Sequence, residues 1–216
     1  MPVTNTASAL GEAIGIIIEN EIENILKPIC NDGGYNYDHG GERPGIKGVK
    51  LSMVNKSGNR YQLDGVIKNA KGEPIVLLES KYLRYTKHNR DKGSWTCAAH
   101  YSLRKSHTTI RKSIAVLSGN WSLPSKKFIE SFGVELHVIT FEHMCTVLNQ
   151  YGIKFDWQEK DRRTPNKSFK AFQKLTQKQK NEIGQKLLAP IKKQIEDSIL
   201  KSRKIITMFD APDSKI

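Results

Sequence analysis

The apolar positions of this chain change period along its length, and each change marks an element. Between residues 7 and 29, isoleucines recur at Ile14, Ile18, Ile22, Ile25 and Ile29, the three- and four-residue spacing of one helical face. Glu12, Glu19 and Glu23 fall on an adjoining face, and Pro28 stands near the helix end. Residues 31–45 are rich in Gly and Asp and read as a loop. Three strands then follow as a meander, over 46–55, about 60–68 and 75–82, joined by polar turns at 56–59 and 69–74. Pro74 is tolerated at a strand's first position. Beyond them the pattern predicts a helix over 94–106, a buried strand over 111–118, a short helix over 124–133, a strand over 134–139 and a helix over 140–151, with Gly152 as its cap. Residues 157–168 are charged, contain Pro165 and read as a linker. A last helical segment carries Ile183, Leu187, Ile191, Ile195 and Ile199 at four-residue spacing, with a kink expected at Pro190.

This order predicts an α/β fold in which a central mixed sheet is flanked by helices. The meander pairs antiparallel, and strands reached through a helix cross over right-handed. The chain divides at 156: a core over 1–156, then a linker and basic helical extension over 157–216 that packs on the core or on a second subunit.

Composition adds charge to this picture. Among 216 residues, 35 are Lys or Arg against 22 Asp or Glu, a net charge of +13. Such a balance favours a polyanionic partner, nucleic acid before membrane. The excess is clustered. Residues 84–112 hold eight Lys or Arg and one acid, and residues 165–204 hold eleven against three. Cys30, Cys97 and Cys145 are far apart and lack metal-finger spacing, which predicts reduced thiols. The N-terminus lacks the basic start of a signal peptide, and no apolar run approaches membrane-spanning length. A cytoplasmic protein is the expectation.

Candidate chemistry sits on the second and third strands of the meander. In Ile75-Val76-Leu77-Leu78-Glu79-Ser80-Lys81-Tyr82, four apolar residues run into an acid, a small residue and a base. With period-two alternation, Ile75, Leu77, Glu79 and Lys81 share one face; Val76, Leu78, Ser80 and Tyr82 share the other. Charges ending an apolar strand are costly to bury unless they pair or hold a cation. Asp64, on the neighbouring strand, supplies a second carboxylate. Two readings fit: a surface cross-strand ion pair worth at most about 1 kcal/mol, or a site for a hard divalent cation. Oxygen donors suit Mg²⁺, with Mn²⁺ as a substitute, and disfavour zinc. Such an ion supports phosphodiester hydrolysis.

Asp64, fourteen intervening residues and Glu79-Ser80-Lys81 on consecutive strands resemble the PD-(D/E)XK nuclease signature, and the element order resembles the restriction-endonuclease-like core over roughly residues 7–150. The family's proline before the first acid is absent; Leu63 stands there. The resemblance implies Asp64 and Glu79 as metal ligands, the Ser80 carbonyl as a further ligand, and Lys81 as the base that orients the attacking water. It also implies a carboxylate from the first helix, for which Glu19 is the choice, with Glu12 and Glu23 as rivals one turn away. The bland reading of Glu19 is a solvated helix-surface acid.

The expected DNA contacts are Arg84, Lys87, His88, Arg90, Lys92, Arg104 and Lys105, directly after the catalytic strand, with Tyr85 and Trp95 interleaved. Most such contacts position the backbone and only some read bases. His100, His107, His137 and His143 show no ligand spacing, and Trp121, Phe128 and Phe132 read as packing residues. The resulting expectation is a Mg²⁺-dependent endonuclease on double-stranded DNA, foremost a homodimeric type II restriction enzyme of a prokaryote. A repair, recombination or homing nuclease is the alternative within the class, and a non-catalytic basic nucleic-acid-binding protein is the alternative outside it.

Overall fold

The structure is a computed structural model that describes residues 5–43, 46–49 and 51–209. The first four residues, Lys50 of the expected first strand and the last seven residues lie outside it. Helix α1 (Thr6–Asp32) opens at Asn5, whose side chain accepts from the Ser8 N–H at 3.1 Å. Its isoleucine face, with Leu10 and Leu26, is buried.

A five-stranded sheet has the order β1 (Asn36–His39), β6 (Gly65–Lys68), β7 (Pro74–Leu83), β8 (Lys112–Gly119) and β9 (Glu135–Thr140). β1, β6 and β7 pair antiparallel; β7, β8 and β9 pair parallel. The mixed sheet flanked by helices is therefore as expected. Helix α2 (Asn89–Ser106) crosses between β7 and β8, α3 (Leu123–Ser131) between β8 and β9, and α4 (Phe141–Asn149) follows β9. β8 is buried on both faces. Its Ile114 and Val116 join the α1-side core, while Ala115 and Leu117 join the core beneath α2 and α3. Among the described residues, no helix is long and apolar enough to cross a membrane.

The meander differs in detail. The neighbour of β6 is β1, drawn from a stretch whose glycines and acids suggest a loop; only Tyr37 of its four residues is buried, so no alternation marks it. The expected strand over 46–55 is divided. β3 (Ile46–Val49) pairs with β2 (Gly41–Arg43), and β4 (Ser52–Val54) pairs with β5 (Arg60–Gln62) in separate two-stranded sheets. The expected strand over 60–68 is likewise two strands, β5 and β6, interrupted at Leu63 and Asp64. Ile75 departs from the expected face. Val76 pairs with Ile67 and Pro74 with Lys68, which leaves Ile75 as the extra residue of a bulge, re-aimed into the α1-side core.

The C-terminal segment packs on α1. Helices α5 (Arg163–Gln173), α6 (Gln177–Leu188) and α7 (Lys192–Phe209) share one apolar cluster with it. The stretch read as a linker already contains the start of α5. Pro165 sits in its first turn, where an N–H has no intrahelical acceptor to lose. Pro190 ends a helix where a kink was expected, since α6 stops at Leu188 and α7 begins at Lys192. The stripe survives the break: Ile183, Leu187, Ile191, Ile195 and Ile199 are all buried.

Candidate active site

The β6–β7 ladder stops at the pair Gly65 and Leu78. Past that point β7 continues to Leu83 with β8 on one side, and on the other side the Asp64 carboxylate takes over from backbone. Asp64 Oδ2 accepts from the Ser80 N–H at 2.8 Å and from Lys81 Nζ at 2.6 Å. In an extended strand the N–H and C=O of one residue face the same neighbour, so the Ser80 carbonyl is turned to this side as well. Gly65 leaves room for the Tyr37 ring beside this break: a Cβ there would lie 2.6 Å from the Tyr37 hydroxyl oxygen.

Glu79 points from β7 toward α2 and is fully buried. Its Oε2 accepts from Lys81 Nζ. Its Oε1 makes no hydrogen bond; His100 Nε2 lies 3.9 Å away, beyond bonding range. Lys81 thus bridges the two carboxylates, and one buried carboxylate oxygen is left over.

Protonation follows from burial and charge. Burial drives the Glu79 carboxyl well above its usual range; the Asp64 charge adds to this and Lys81 opposes it. Burial also acts to raise Asp64, but the hydrogen bonds from Glu79 and Lys81, the Lys81 charge and the Ser80 N–H outweigh it, and its carboxyl is lowered. The proton of the pair therefore resides on Glu79. Burial would lower Lys81, yet the two acids prevail and hold it above its ordinary range. His100, wholly buried near Lys81 and Arg104, is pushed down to about 3 and is neutral.

Glu19 reaches this centre from α1. It stands at the exposed rim of the cleft, where solvent tempers the burial that heads the causes raising its carboxyl to about 7. The Asp64 charge raises it further and Lys81 opposes. Gly11, two turns earlier, sets the approach of the helix: a Cβ there would meet the Tyr82 ring at 2.9 Å. Of the rivals, Glu23 pairs with Lys27 and with His39 at 3.0 Å, and Glu12 lines the neighbouring cavity. That cavity, about 810 Å³, is walled by α1, by Ser80 and Tyr82 of β7, by Tyr85, His88 and Lys92, and by Trp157 to Arg162. Among the described residues, no group of three or more His, Cys, Asp or Glu side chains is assembled to hold a metal ion.

The expected DNA contacts divide by what already holds them. Arg84 donates to the carbonyls of Phe155 and Trp157, each at 2.5 Å, and stacks on Trp157 at 3.5 Å. Arg104 donates to the carbonyls of Phe132 and Gly133 beyond α3. Both guanidinium groups fasten chain segments. Lys87 pairs with Glu159. His88, Arg90, Lys92 and Lys105 are exposed. Phe128, read as a packing residue, is 43% exposed, whereas Trp121 is buried. His100, the neighbour of Glu79, has no ligand spacing in the sequence. A signal existed, since Gly93, Thr96, Cys97, His100 and Leu103 mark the inward face of α2 at helical spacing.

Comparison with protein families and with curated proteins yields no match. A crystal structure of a protein of unknown function, AF1548, is similar over 88% of this chain and 98% of that one, at 13% identity and a TM-score of 0.37, a likeness too distant to bear on function.

Proposed function

We propose that the protein is a Mg²⁺-dependent DNA endonuclease of the restriction-endonuclease-like fold, foremost a site-specific type II enzyme. The observation that carries this reading is the convergence of Asp64, Glu79 and Lys81 at the end of the β6–β7 ladder, with Glu79 Oε1 buried and unbonded. An orphaned carboxylate oxygen in the interior is costly, and a cation is the partner that would repay it. The donors are all hard oxygens, as Mg²⁺ or Mn²⁺ requires. Asp64, Glu79 and the Ser80 carbonyl would hold the ion, with Glu19 completing the set from α1. When bound, the ion supplies Lewis acidity toward a phosphoryl oxygen and acidifies a water.

The remaining steps fall to the chain itself. Binding requires Glu79 to release its proton, and Lys81 to loosen its bridge between the acids. Lys81 stays an ammonium, so its part is to donate hydrogen bonds to the attacking water or to a phosphate oxygen and to offset the charge that builds there. It is not poised as a base. Glu19, whose carboxyl burial and the Asp64 charge raise to about 7, would be drawn to its carboxylate form by a cation, so its part is that of a ligand and not of a base. His88 and Lys92 on the cavity wall provide cationic or polar contacts to the phosphodiester backbone.

A second reading has its own observation. Lys81 closes an ion triad with both acids, and no larger ligand group is assembled among the described residues. That arrangement also suits a basic nucleic-acid-binding protein whose triad is structural. Purified protein, plasmid DNA and Mg²⁺ separate the two. Discrete fragments support restriction; a smear, or cutting of branched DNA alone, supports a repair or recombination nuclease. Binding without cleavage supports the second reading. Asp64→Ala and Lys81→Ala should each abolish cleavage while leaving DNA affinity within about two-fold, and wild-type rates in either variant would remove the site. Mg²⁺ should raise the melting temperature of the wild type and not of Asp64→Ala, since a ligand stabilises only the state that binds it.

A further inference from the structure

Helix α2 presents to solvent two large aromatic side chains that the chemistry above does not use. Trp95 is 54% exposed and Tyr101 50% exposed. Lys92, Trp95, Ala98, Tyr101 and Lys105 are all exposed; at 3.6 residues per turn their three-residue steps wind obliquely across the solvent side of the helix, from Lys92 and Trp95 on one flank over Ala98 to Tyr101 and Lys105 on the other, with a rise of about 20 Å at 1.5 Å per residue. At one end, Lys92 also walls the cavity that opens beside Glu19 and Ser80. At the other, the Lys105 ammonium lies 5.6 Å over the Tyr101 ring. Tyr61 tilts against Trp95 with ring centres 6.1 Å apart. The β4–β5 hairpin that carries Tyr61 is fastened to α2 through Asn55 to Ser102 at 2.7 Å and His107 to the Val54 carbonyl at 3.0 Å. Within Asn89–Ser106 the only acid is Asp91, against Arg90, Lys92, Arg104 and Lys105.

Charge and shape select the occupant. Protein interfaces enrich aromatics but deplete lysine; this stripe begins and ends in lysine. Aromatic faces among cations are the means by which proteins hold unpaired bases, and stacking is indifferent to sequence. A continuous duplex offers only base edges in its grooves, so its bases cannot lie on Trp95 or Tyr101.

We propose that the stripe from Lys92 through Trp95 and Tyr101 to Lys105 is a stacking track for an unpaired nucleic-acid strand that runs into the cavity beside Glu19. Only the direction of the strand, toward a cutting centre, rests on the nuclease reading. The substrate class it implies is DNA with a single-stranded flap or overhang next to the scissile bond.

The protein carries its own probe: Trp121 and Trp157 are each 8% exposed and Trp95 is 54% exposed, and because Trp157 walls the cavity the quench is assigned to the track by its loss in Trp95→Ala. In EDTA, an oligothymidine strand of about twenty nucleotides should quench tryptophan emission, and Trp95→Ala should lose the quench and bind that strand about 5- to 100-fold more weakly. Affinity for a blunt duplex should change by less than about two-fold, and Trp95→Phe should keep most of the strand affinity. Unaltered strand binding by Trp95→Ala, or equal losses on strand and duplex, overturns the proposal. A change in solution mass on Trp95→Ala assigns the patch to a second copy and also overturns it. Cleavage of overhanging duplexes by the wild type with Mg²⁺ is scored separately. Strand binding through Trp95 without any cleavage would retain the track and remove the nuclease.

Discussion

The single most confined residue of the centre is Glu79, which shares one ammonium with Asp64 while its second oxygen goes unbonded. Its companion on α2, His100, is equally enclosed, and neither ring nitrogen makes a hydrogen bond. A histidine buried in neutral form opposes acid. Its folded value near 3 lies below the ordinary 6.5, so its contribution is complete above pH 6.5 and is lost as pH falls from there toward 3, because the unfolded chain takes the proton first. The loss attributable to His100 should be on the order of 1–2 kcal/mol by pH 5. Chemical denaturation at pH 7 and pH 5 tests this. His100→Leu should flatten the acid limb, and an identical slope in that variant would rule the imidazole out as its source.

At the scale of elements, Arg84 joins β7 to the segment that leads into α5, through two carbonyl contacts and the face of Trp157. Hydrogen bonds from a charged donor contribute about 1.5–3 kcal/mol each. Arg84→Ala should therefore lower unfolding free energy by about 3 kcal/mol. Arg84→Lys should recover less than half, since an ammonium cannot fork to two carbonyls and stack at once. Urea titration measures both, and a change below about 0.5 kcal/mol would dismiss the clamp. This residue also marks a limit of sequence reading. An arginine after a catalytic strand suggests a phosphate contact; that it holds Phe155 and Trp157, more than seventy residues on, depends on a crossing no local pattern encodes. The helices and β7 to β9 were legible because burial on one or both faces imposes a period. β1 was not, because Asn36, Asp38 and His39 surround one buried tyrosine. The break at Leu63 and Asp64 was equally hidden, since apolar and polar residues alternate through it, although that interruption is what brings Asp64 to Ser80 and Lys81.

Over the whole molecule, the C-terminal helices complete the core. Phe172, Ile183, Leu187, Leu188, Ile191, Ile195 and Ile199 are buried in the cluster that includes the isoleucine face of α1. Each such side chain contributes about 1.5–3 kcal/mol on burial, and the group together rivals the roughly 5–15 kcal/mol that holds a typical domain folded. A chain ending at Arg162 should consequently lose cooperative thermal unfolding and bind a hydrophobic dye. A sharp transition in that truncated chain would show that the helices are an appendage to an independent core. The residues proposed for the metal site and its phosphate contacts span 19 to 92, so any cleavage lost in the truncation would follow from loss of the fold.

The partnership between α1 and the last helices also sets a timetable. The apolar face of α1 leaves the ribosome before the sheet that packs on it, and well before the residues of α5 to α7 that complete its cover. At about 5–20 residues per second, that face waits roughly ten to thirty seconds for its cover. During synthesis the nascent protein is thus an exposed isoleucine ribbon in search of a partner, and a trailing chaperone would find its most natural handhold there.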